Sequence, residues 1–346
     1  MTLVDTLALL VDTRSVTGEE AAIATLLEER FVSRQPTLRI GNALVVGEPA
    51  GRPLVVLYGH TDTVPEQGNL PHHIEDGRMV GLGTSDMKAG IAVMVQLLEG
   101  HGGDYDLAAV FYDREEGPSD ENGLEEVLDR VPWLADAVFS IVLEPTDLGV
   151  EIGCNGVINA DVVFTGQAAH SARPWLGENA VTKAGRWLHA MHDRRPEPFL
   201  IDGFEFREVF SVTTAQAGVA KNVIPASFTM NLNYRYPPLF DPAQAEDRLR
   251  RVAADADQVV IRDRAPAAPV PTGNEHVERL VAISGGDVGP KQGWTDVARL
   301  GARGIAAVNF GPGEVSQAHR HTESVALANL DAAHDVLARF LGREPE

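Results

Sequence analysis

The chain has 346 residues, of which 44% are apolar, and its 50 acidic against 29 basic residues give a formal net charge of −21. A chain of this length exceeds the size at which a single hydrophobic core usually stops growing, so we expect two domains. The acidic balance argues against nucleic acid or anionic membranes as partners, because both bind proteins through Lys and Arg. Metal cations suit it better, although most carboxylates, such as Glu19 and Glu20, are expected to cover a solvated surface.

The first residues lack a basic start followed by an apolar run, and no later apolar stretch is long enough to span a bilayer. The sequence therefore predicts a cytoplasmic protein. Its single cysteine, Cys154, cannot form an internal disulfide and is interpreted as a buried structural thiol.

The N-terminal part alternates helices with short apolar runs. Residues 3–12 predict a first helix, and Thr17 and Glu20 fit a capping box at the start of a second. A further helix is expected at about residues 88–99. Three apolar runs predict strands buried on both faces, at residues 54–58, 107–112 and 139–143. This is an α/β pattern with a mostly parallel sheet.

From about residue 156 the order becomes strand, helix, strand, strand, helix, strand, which is the ferredoxin-like βαββαβ arrangement. The predicted elements cover residues 157–165, 178–192, 206–215, 227–236, 242–254 and 258–262. After a Pro-rich stretch the α/β pattern resumes, with a helix near residues 275–284 and an apolar run at 304–310. We therefore expect a metal-binding catalytic domain of residues 1–155 and 271–346, with a lid and dimerisation domain of residues 156–270 inserted in it.

Polar side chains follow four of the predicted strands. In an open α/β sheet, ligands bind beyond the carboxyl ends of the strands, so these side chains are candidate site residues. A single histidine or glutamate at a strand end would more often be a surface or capping group. Here there are several together: His60 with Asp62, Glu115 with Glu116, Glu144, His319, and Asp86 at the start of the helix near residue 88.

Histidine nitrogen and carboxylate oxygen suit zinc, and two histidines with three carboxylates can hold two divalent ions if one carboxylate bridges them. Asp62, two positions after His60, could accept the second ring proton of that histidine and fix its tautomer. Glu115 and Glu116 are adjacent and leave a strand in different directions. One of them can therefore bind metal while the other, its pKa raised by burial and by its neighbour, handles protons.

Four segments together resemble the signature of the M20 metallopeptidase family: residues 59–65 (GHTDTVP), 83–90 (GTSDMKAG), 115–117 (EEG) and 143–145 (LEP). The resemblance runs nearly end to end in the same order. Residues 293–299 and 309–313 are most similar to the actinobacterial succinyl-diaminopimelate desuccinylases of that family. Residues 153–156 read Gly-Cys-Asn-Gly where many desuccinylases carry Gly-Arg-Arg-Gly, so one basic contribution to succinate binding is missing.

The resemblance implies a role for each candidate. His60 and Glu144 would bind one zinc, Glu116 and His319 the other, with Asp86 bridging the two ions and Glu115 acting as general base; cobalt or manganese are alternative metals. His319 is preferred to His321 because the family's histidine precedes a glutamate by four positions, and here that glutamate is Glu323.

The inserted domain also carries family segments. The resemblance implies that His170, within residues 165–174, reaches the active site of a partner subunit and donates to the oxyanion of the tetrahedral intermediate. It further implies that Asn222 and Arg235 hold carboxylates of the substrate, a task that suits an amide beside a guanidinium fork. A homodimer formed through the inserted domain follows from the role of His170.

The function implied is removal of succinate from N-succinyl-LL-2,6-diaminopimelate in lysine and diaminopimelate biosynthesis. An alternative keeps the chemistry and changes the substrate, as in an acetylornithine deacetylase, an N-acyl amino acid hydrolase or a dipeptidase. A third interpretation is a non-catalytic metal-binding module, for which loss of the general base would be the expected sign. Glu115 is present.

Overall fold

The computed structural model describes residues 1–343. The chain divides into two compact units. Unit 1 consists of Met1–Gly153, Pro271–Gly289 and Thr295–Glu346, and unit 2 of Cys154–Val270 and Pro290–Trp294.

The N-terminal part of unit 1 contains four α-helices and eight strands. The helices are α1 (Leu3–Asp12), α2 (Ala21–Phe31), α3 (Ala89–Glu99) and α4 (Leu124–Arg130). The strands are β1 (Thr37–Ile40), β2 (Ala43–Val46), β3 (Leu54–His60), β4 (His73–Glu75), β5 (Arg78–Val80), β6 (Asp106–Tyr112), β7 (Phe139–Val142) and β8 (Val150–Cys154). A π-type turn covers Thr84–Lys88, and short 3-10 helices cover Ser119–Glu121 and Pro132–Asp136.

Unit 2 contains β9 (Gly156–Thr165), α5 (Ala180–Lys183), α6 (Gly185–Asp193), β10 (Glu197–Ile201), β11 (Phe204–Ala217), β12 (Ser227–Tyr236), α7 (Pro242–Val252) and β13 (Gln258–Ala265), with a 3-10 helix at Pro174–Leu176. The C-terminal part of the chain adds α8 (Glu275–Ser284), β14 (Val288–Lys291), α9 (Val297–Ala302), β15 (Ala307–Asn309), a 3-10 helix at Val315–Gln317, β16 (Ser324–Ala326) and α10 (Leu327–Phe340).

The main sheet has eight strands in the order β1-β2-β6-β3-β7-β15-β8-β14. Its four central strands, β6, β3, β7 and β15, are parallel, as the apolar runs predict. Antiparallel strands flank them on both sides. Every residue of β3 and β7 is buried, because helices cover a parallel sheet on its faces. The carboxyl ends of the four central strands therefore meet at one edge of the sheet.

Helix α1 has the predicted bounds and begins with a capping box between Thr2 and Asp5. The capping box predicted for the second helix is wrong. α2 begins at Ala21 with no side-chain cap, and Thr17 donates its hydroxyl to Asp62 Oδ2 at 2.9 Å instead. The surface interpretation of Glu20 is also wrong: its carboxylate is buried and accepts a hydrogen bond from the Gly18 amide at 2.6 Å.

Unit 2 is built on a five-stranded antiparallel sheet in the order β10-β11-β12-β9-β13. Without β10 this is the strand order of a ferredoxin-like fold. Alternate residues of β9 and β12 point into a core with Trp187 and Leu249 of the helices, as period-two burial requires.

Two details of unit 2 differ from the prediction. The edge strand β10 was not predicted because Pro198 lies inside it, and proline is tolerated only on edge strands. The predicted helix at 178–192 begins later, at Ala180, where the Asn179 side chain caps it, and is divided between α5 and α6 at Ala184.

Among residues 1–343, none of the helices combines the length and the apolar character needed to cross a membrane.

Candidate metal centre

Four loops of unit 1 bring the candidate residues to the same edge of the main sheet. His60 is the last residue of β3 and pairs in register with Tyr112 at the end of the parallel strand β6. Glu115 and Glu116 follow β6, and Glu144 follows β7. His319 lies in the loop between β15 and β16. Because these strands are adjacent and parallel, their carboxyl ends place these residues side by side.

Asp86, in the turn before α3, lies between the two histidines. Its Oδ1 is 3.2 Å from His60 Nε2, and its Oδ2 is 3.5 Å from His319 Nε2. His60 Nε2 is also 3.9 Å from Glu144 Oε1, and His319 Nε2 is 2.9 Å from Glu116 Oε1. Each oxygen of one carboxylate therefore faces a different histidine-carboxylate pair.

The candidate residues form three groups, and within each group the ligand atoms all lie within 4.8 Å of one another. One is His60, Asp86 and Glu144; the second is Asp86, Glu116 and His319. These correspond to the two ligand sets expected from the sequence, with Asp86 common to both. The third group contains His60, Glu115 and Glu116, so the Glu115 carboxylate faces the same space.

Hydrogen bonds to Asp86 and Glu116 raise the pKa of His319 to about 10. Burial opposes a charge on His60, but the carboxylates of Asp62 and Asp86 nevertheless raise its pKa well above 6.5. Burial likewise opposes ionisation of Asp86, but hydrogen bonds with both histidines keep its pKa below 3.8. The carboxylates of the centre therefore stabilise positive charge at the positions of both histidines.

The donor set fits a pair of divalent cations. It offers imidazole nitrogen and carboxylate oxygen, which suit zinc, cobalt and manganese, and one carboxylate has its two oxygens turned toward separate donor groups. The lone cysteine, Cys154, is buried in unit 2 and contributes no sulfur.

Burial raises the pKa of Glu115 well above its usual value of 4.5, and the neighbouring Glu144, Asp296 and Glu116 add to this effect, while His60 opposes it. A carboxylate with a raised pKa can accept a proton from water and later release it at neutral pH.

Asp62 is fully buried, and its carboxylate accepts the backbone amides of Glu115 at 3.0 Å and Glu116 at 3.1 Å. The nearest partner of His60 Nδ1 is the Asp62 backbone oxygen at 3.1 Å, with the side-chain Oδ1 at 3.4 Å. Asp62 thus contacts both His60 and the segment that follows β6. The sequence predicted the first contact only.

Glu323 is a site residue whose role the sequence did not reveal. Its buried carboxylate accepts three backbone amides of the Asp86 turn, from Gly83 at 2.9 Å, Ser85 at 2.8 Å and Asp86 at 2.9 Å. In the sequence, Glu323 served only to favour His319 over His321 as the metal ligand. His321 is exposed and lies in none of the three groups of ligand atoms.

A second buried carboxylate, Asp296, lies in residues 293–299, which resemble the desuccinylases, but the sequence predicts no role for it. It accepts the Tyr112 hydroxyl at 2.8 Å and the Asn122 amide at 3.2 Å, and it pairs with Arg299 at 2.7 Å. Arg299 also donates to the Ser119 backbone oxygen at 2.6 Å. These contacts hold the loop between β6 and α4 at both of its ends.

The remaining candidates belong to unit 2. His170 and Asn222 are exposed, and their segments run side by side. His170 forms an isolated antiparallel β-bridge with Val223, and the Ser171 amide donates to the Asn222 backbone oxygen at 3.0 Å. Arg235 lies on β12, half-buried, and its Nε donates to Asn233 Oδ1 at 3.2 Å. Arg235 is not paired with His170 or Asn222 by any described hydrogen bond.

The sequence of residues 56–343 matches the family model described as Peptidase family M20/M25/M40. The chain belongs to this family. It is therefore a metal-dependent amide hydrolase. It is 39% identical over 341 residues to a Mycobacterium tuberculosis protein (strain H37Rv) provisionally named succinyl-diaminopimelate desuccinylase DapE, a match that covers 97% of this chain and 96% of the relative.

The chain is also 35% identical over 347 residues to the succinyl-diaminopimelate desuccinylase of Corynebacterium glutamicum, covering 96% of this chain and 94% of the relative. Among solved structures it is similar to a tripeptidase from Staphylococcus aureus, with a TM-score of 0.79, 20% identity and coverage of 98% and 96% of the two chains. This last likeness, at low identity, establishes the shared fold alone.

Proposed function

We propose that the protein hydrolyses N-succinyl-LL-2,6-diaminopimelate to succinate and LL-diaminopimelate, a cytoplasmic step of lysine and diaminopimelate synthesis. The observation that carries the choice of substrate is the similarity to two proteins named as desuccinylases, 39% and 35% identical over nearly the full length of both chains.

We further propose that the centre holds two divalent ions, zinc in preference to cobalt or manganese. His60 and Glu144 bind one, Glu116 and His319 bind the other, and Asp86 bridges them. The two ions, when bound, polarise the amide carbonyl and lower the pKa of water from 15.7 to about 7.

The protein's own groups then handle the proton and the geometry. Glu115 accepts a proton from the water whose oxygen forms the new bond to the amide carbon. When the carbon–nitrogen bond breaks, Glu115 delivers that proton to the leaving amine, so that no net proton remains on the enzyme. Asp62 keeps the Glu115 backbone in place throughout, through the amide hydrogen bond of 3.0 Å.

We assign the remaining roles to the lid and dimerisation domain, residues 156–270. His170 of the partner subunit donates to the developing oxyanion in a homodimer formed through this domain, and Asn222 and Arg235 hold carboxylates of the substrate. The half-buried Arg235 donates from its Nε to Asn233, and its terminal amino groups offer the donors that a carboxylate requires.

Steady-state kinetics on a panel of N-acylated amines test the substrate. We expect kcat/KM for N-succinyl-LL-diaminopimelate to exceed that for N-acetylornithine by at least about a hundredfold, since N-acetylornithine lacks the succinyl carboxylate and would leave a polar group of the site unpaired. Chelator-stripped protein should be inactive and should recover with zinc. Preference for N-acetylornithine or for a dipeptide would reject the proposed substrate while keeping the hydrolytic chemistry.

A further inference from the structure

The loop that carries His319 is anchored at both of its ends as well as at the histidine, whose Nε2 lies 2.9 Å from Glu116 Oε1 and whose backbone oxygen accepts a hydrogen bond from Gln67 Nε2 at 3.4 Å. The His319 side chain is 54% exposed, and its backbone adopts a positive φ of 63°. At the start of the loop, the Glu314 amide donates to Ser85 Oγ at 3.1 Å, and the Glu314 carboxylate accepts Arg78 at 2.6 Å. At its other end is Glu323. The position of the exposed histidine therefore depends on these two anchors in addition to its own contacts.

The anchor at Glu323 differs from an ordinary loop contact because its single carboxylate accepts hydrogen bonds from three backbone amides. Its Oε1 accepts the amides of Ser85 and Asp86, and its Oε2 accepts that of Gly83. The Glu323 backbone oxygen adds a fourth contact, from the Gly81 amide at 3.0 Å. A buried backbone amide that loses its acceptor costs free energy, so these hydrogen bonds tie the Asp86 turn to Glu323.

These contacts join two metal-ligand segments of different origin. One segment ends at Asp86, whose own amide is among the donors, and the other contains His319, four positions before Glu323. Asp86 and His319 lie in the same group of ligand atoms, together with Glu116. Glu323 is 1% exposed, and its carboxylate accepts a hydrogen bond from the backbone amide of one member of this group, Asp86.

We infer that Glu323 is a positioning residue that holds the Asp86 turn and the His319 loop together. It thereby sets the affinity for the cation that Glu116 and His319 bind. The inference rests on the proposed two-cation centre. In this role Glu323 contacts neither metal nor substrate. Removing a group that orients metal ligands typically weakens metal binding about 10–100-fold.

Glu323→Gln tests the inference, because it keeps the size of the side chain but places an NH₂ group against amide donors. We expect the affinity for the cation held by Glu116 and His319 to fall about 10–100-fold, and the affinity for the cation held by His60 and Glu144, which shares only Asp86 with it, to fall less. Metal analysis after equilibration with a series of zinc-chelator buffers measures both affinities without reference to activity. A variant that binds both ions as tightly as the wild-type protein would overturn the inference.

Asp106→Asn is the matched control. Asp106 is likewise a buried carboxylate, 3% exposed, that accepts backbone amides, from Ala50 at 2.5 Å and Arg52 at 2.9 Å. It begins β6, at the end of the strand opposite the metal centre. We expect this variant to lose stability but to keep both metal affinities. Equal loss of metal in both variants would show a general effect of destabilisation and would overturn the specific role of Glu323.

Hydrogen exchange in the metal-free wild-type protein needs no variant and remains informative if Glu323→Gln does not fold. We expect the amides of Gly83, Ser85 and Asp86 to be protected without metal, because the Glu323 carboxylate accepts all three. Free exchange at all three amides would overturn the inference. Wild-type protein that binds fewer than two cations would instead reject the proposed two-cation function itself, so the two failures are distinguishable.

Discussion

The side chain of Asp62 serves three segments at once. Its carboxylate accepts the Thr17 hydroxyl and the amides of Glu115 and Glu116, and it lies 3.4 Å from the His60 ring. A fully buried carboxylate is costly unless hydrogen bonds and nearby positive charge compensate for its desolvation. Here the compensating groups are those that the proposed reaction requires, so the same contacts stabilise Asp62 and fix the site.

At the residue scale, Glu115→Gln separates proton transfer from metal binding. The amide cannot accept a proton from water, while the ligands of both proposed cations are unchanged. We expect two ions per chain, as in the wild-type protein, with kcat reduced about 10²–10⁴-fold. Metal analysis and kinetics on one preparation check this, and a variant that keeps more than about a tenth of the wild-type rate would remove Glu115 from the role of general base.

A pH prediction concerns Glu208 in unit 2. Burial opposes its charge, but hydrogen bonds from Arg248 at 2.6 and 2.8 Å and from the Tyr234 hydroxyl at 2.6 Å lower its pKa below the usual value of 4.5. The pKa of Glu208 is therefore lower in the folded than in the unfolded protein. The ionised carboxylate stabilises the fold fully at pH values above the unfolded pKa, and this stabilisation is lost as the pH falls through the folded pKa.

Glu208→Gln should therefore reduce the free energy of unfolding at pH 7 by about 1.5–3 kcal/mol, the range for hydrogen bonds to charged groups. The deficit should shrink as the pH is lowered below 4.5. Urea unfolding of both proteins across this range measures it. A deficit that stays constant as the pH falls would show that the charge on Glu208 does not contribute.

At the scale of elements, the sequence predicted the central strands well because their chemistry is local. Apolar runs bounded by turns identify β3, β6 and β7, and the polar residues that follow them are the ones the structure brings together. The strands β4, β5 and β16 form a separate three-stranded sheet. Each is only three residues long and has no periodic pattern, so the sequence gives no signal for them.

The contacts of Glu323 and Asp296 were not predictable for a different reason. Glu323 reaches amides more than 230 positions away along the chain, and Asp296 reaches Tyr112 across 184 positions. Such pairings follow from the tertiary fold, not from spacing. The family pattern marks Glu323 by its spacing from His319, but that spacing does not show which groups its carboxylate contacts.

A pair of glycine substitutions tests how closely α3 packs on the loop after β7. Gly90 lies in α3, and a Cβ added there would be 2.4 Å from the Leu143 backbone oxygen. Gly90→Ala should therefore destabilise the protein by about 1–3 kcal/mol, the usual cost of overpacking. Gly185 lies in α6, and a Cβ added there would meet no atom within 4 Å apart from its chain neighbours and the backbone of its own helix, so Gly185→Ala should stabilise by about 0.4–1 kcal/mol.

Thermal and urea unfolding of the metal-free proteins measure both changes. A stabilising effect of Gly90→Ala would contradict the close approach of α3 to Leu143, which precedes the ligand Glu144.

At the scale of the whole molecule, the proposed role of His170 requires two chains. A His170→Ala chain keeps its metal ligands, and a His60→Ala chain keeps its His170, so each homodimer is inactive. After mixing and subunit exchange, the site of the His170→Ala chain would receive a histidine from its partner. We expect recovery of about a quarter of the wild-type activity, because random exchange makes half of the dimers mixed, each with one complete site.

A mixture that stays inactive although light scattering shows exchanged dimers would reject the action of His170 across subunits. Recovery in the mixture cannot come from either parent alone, since each is assayed separately as its own control.

Metal content tests the two-cation centre most directly. Purified wild-type protein, equilibrated with zinc and analysed for metal per chain, should contain two ions, and His60→Ala and His319→Ala should each retain at most one. Two ions retained in both variants, with folding unchanged, would contradict the proposed centre.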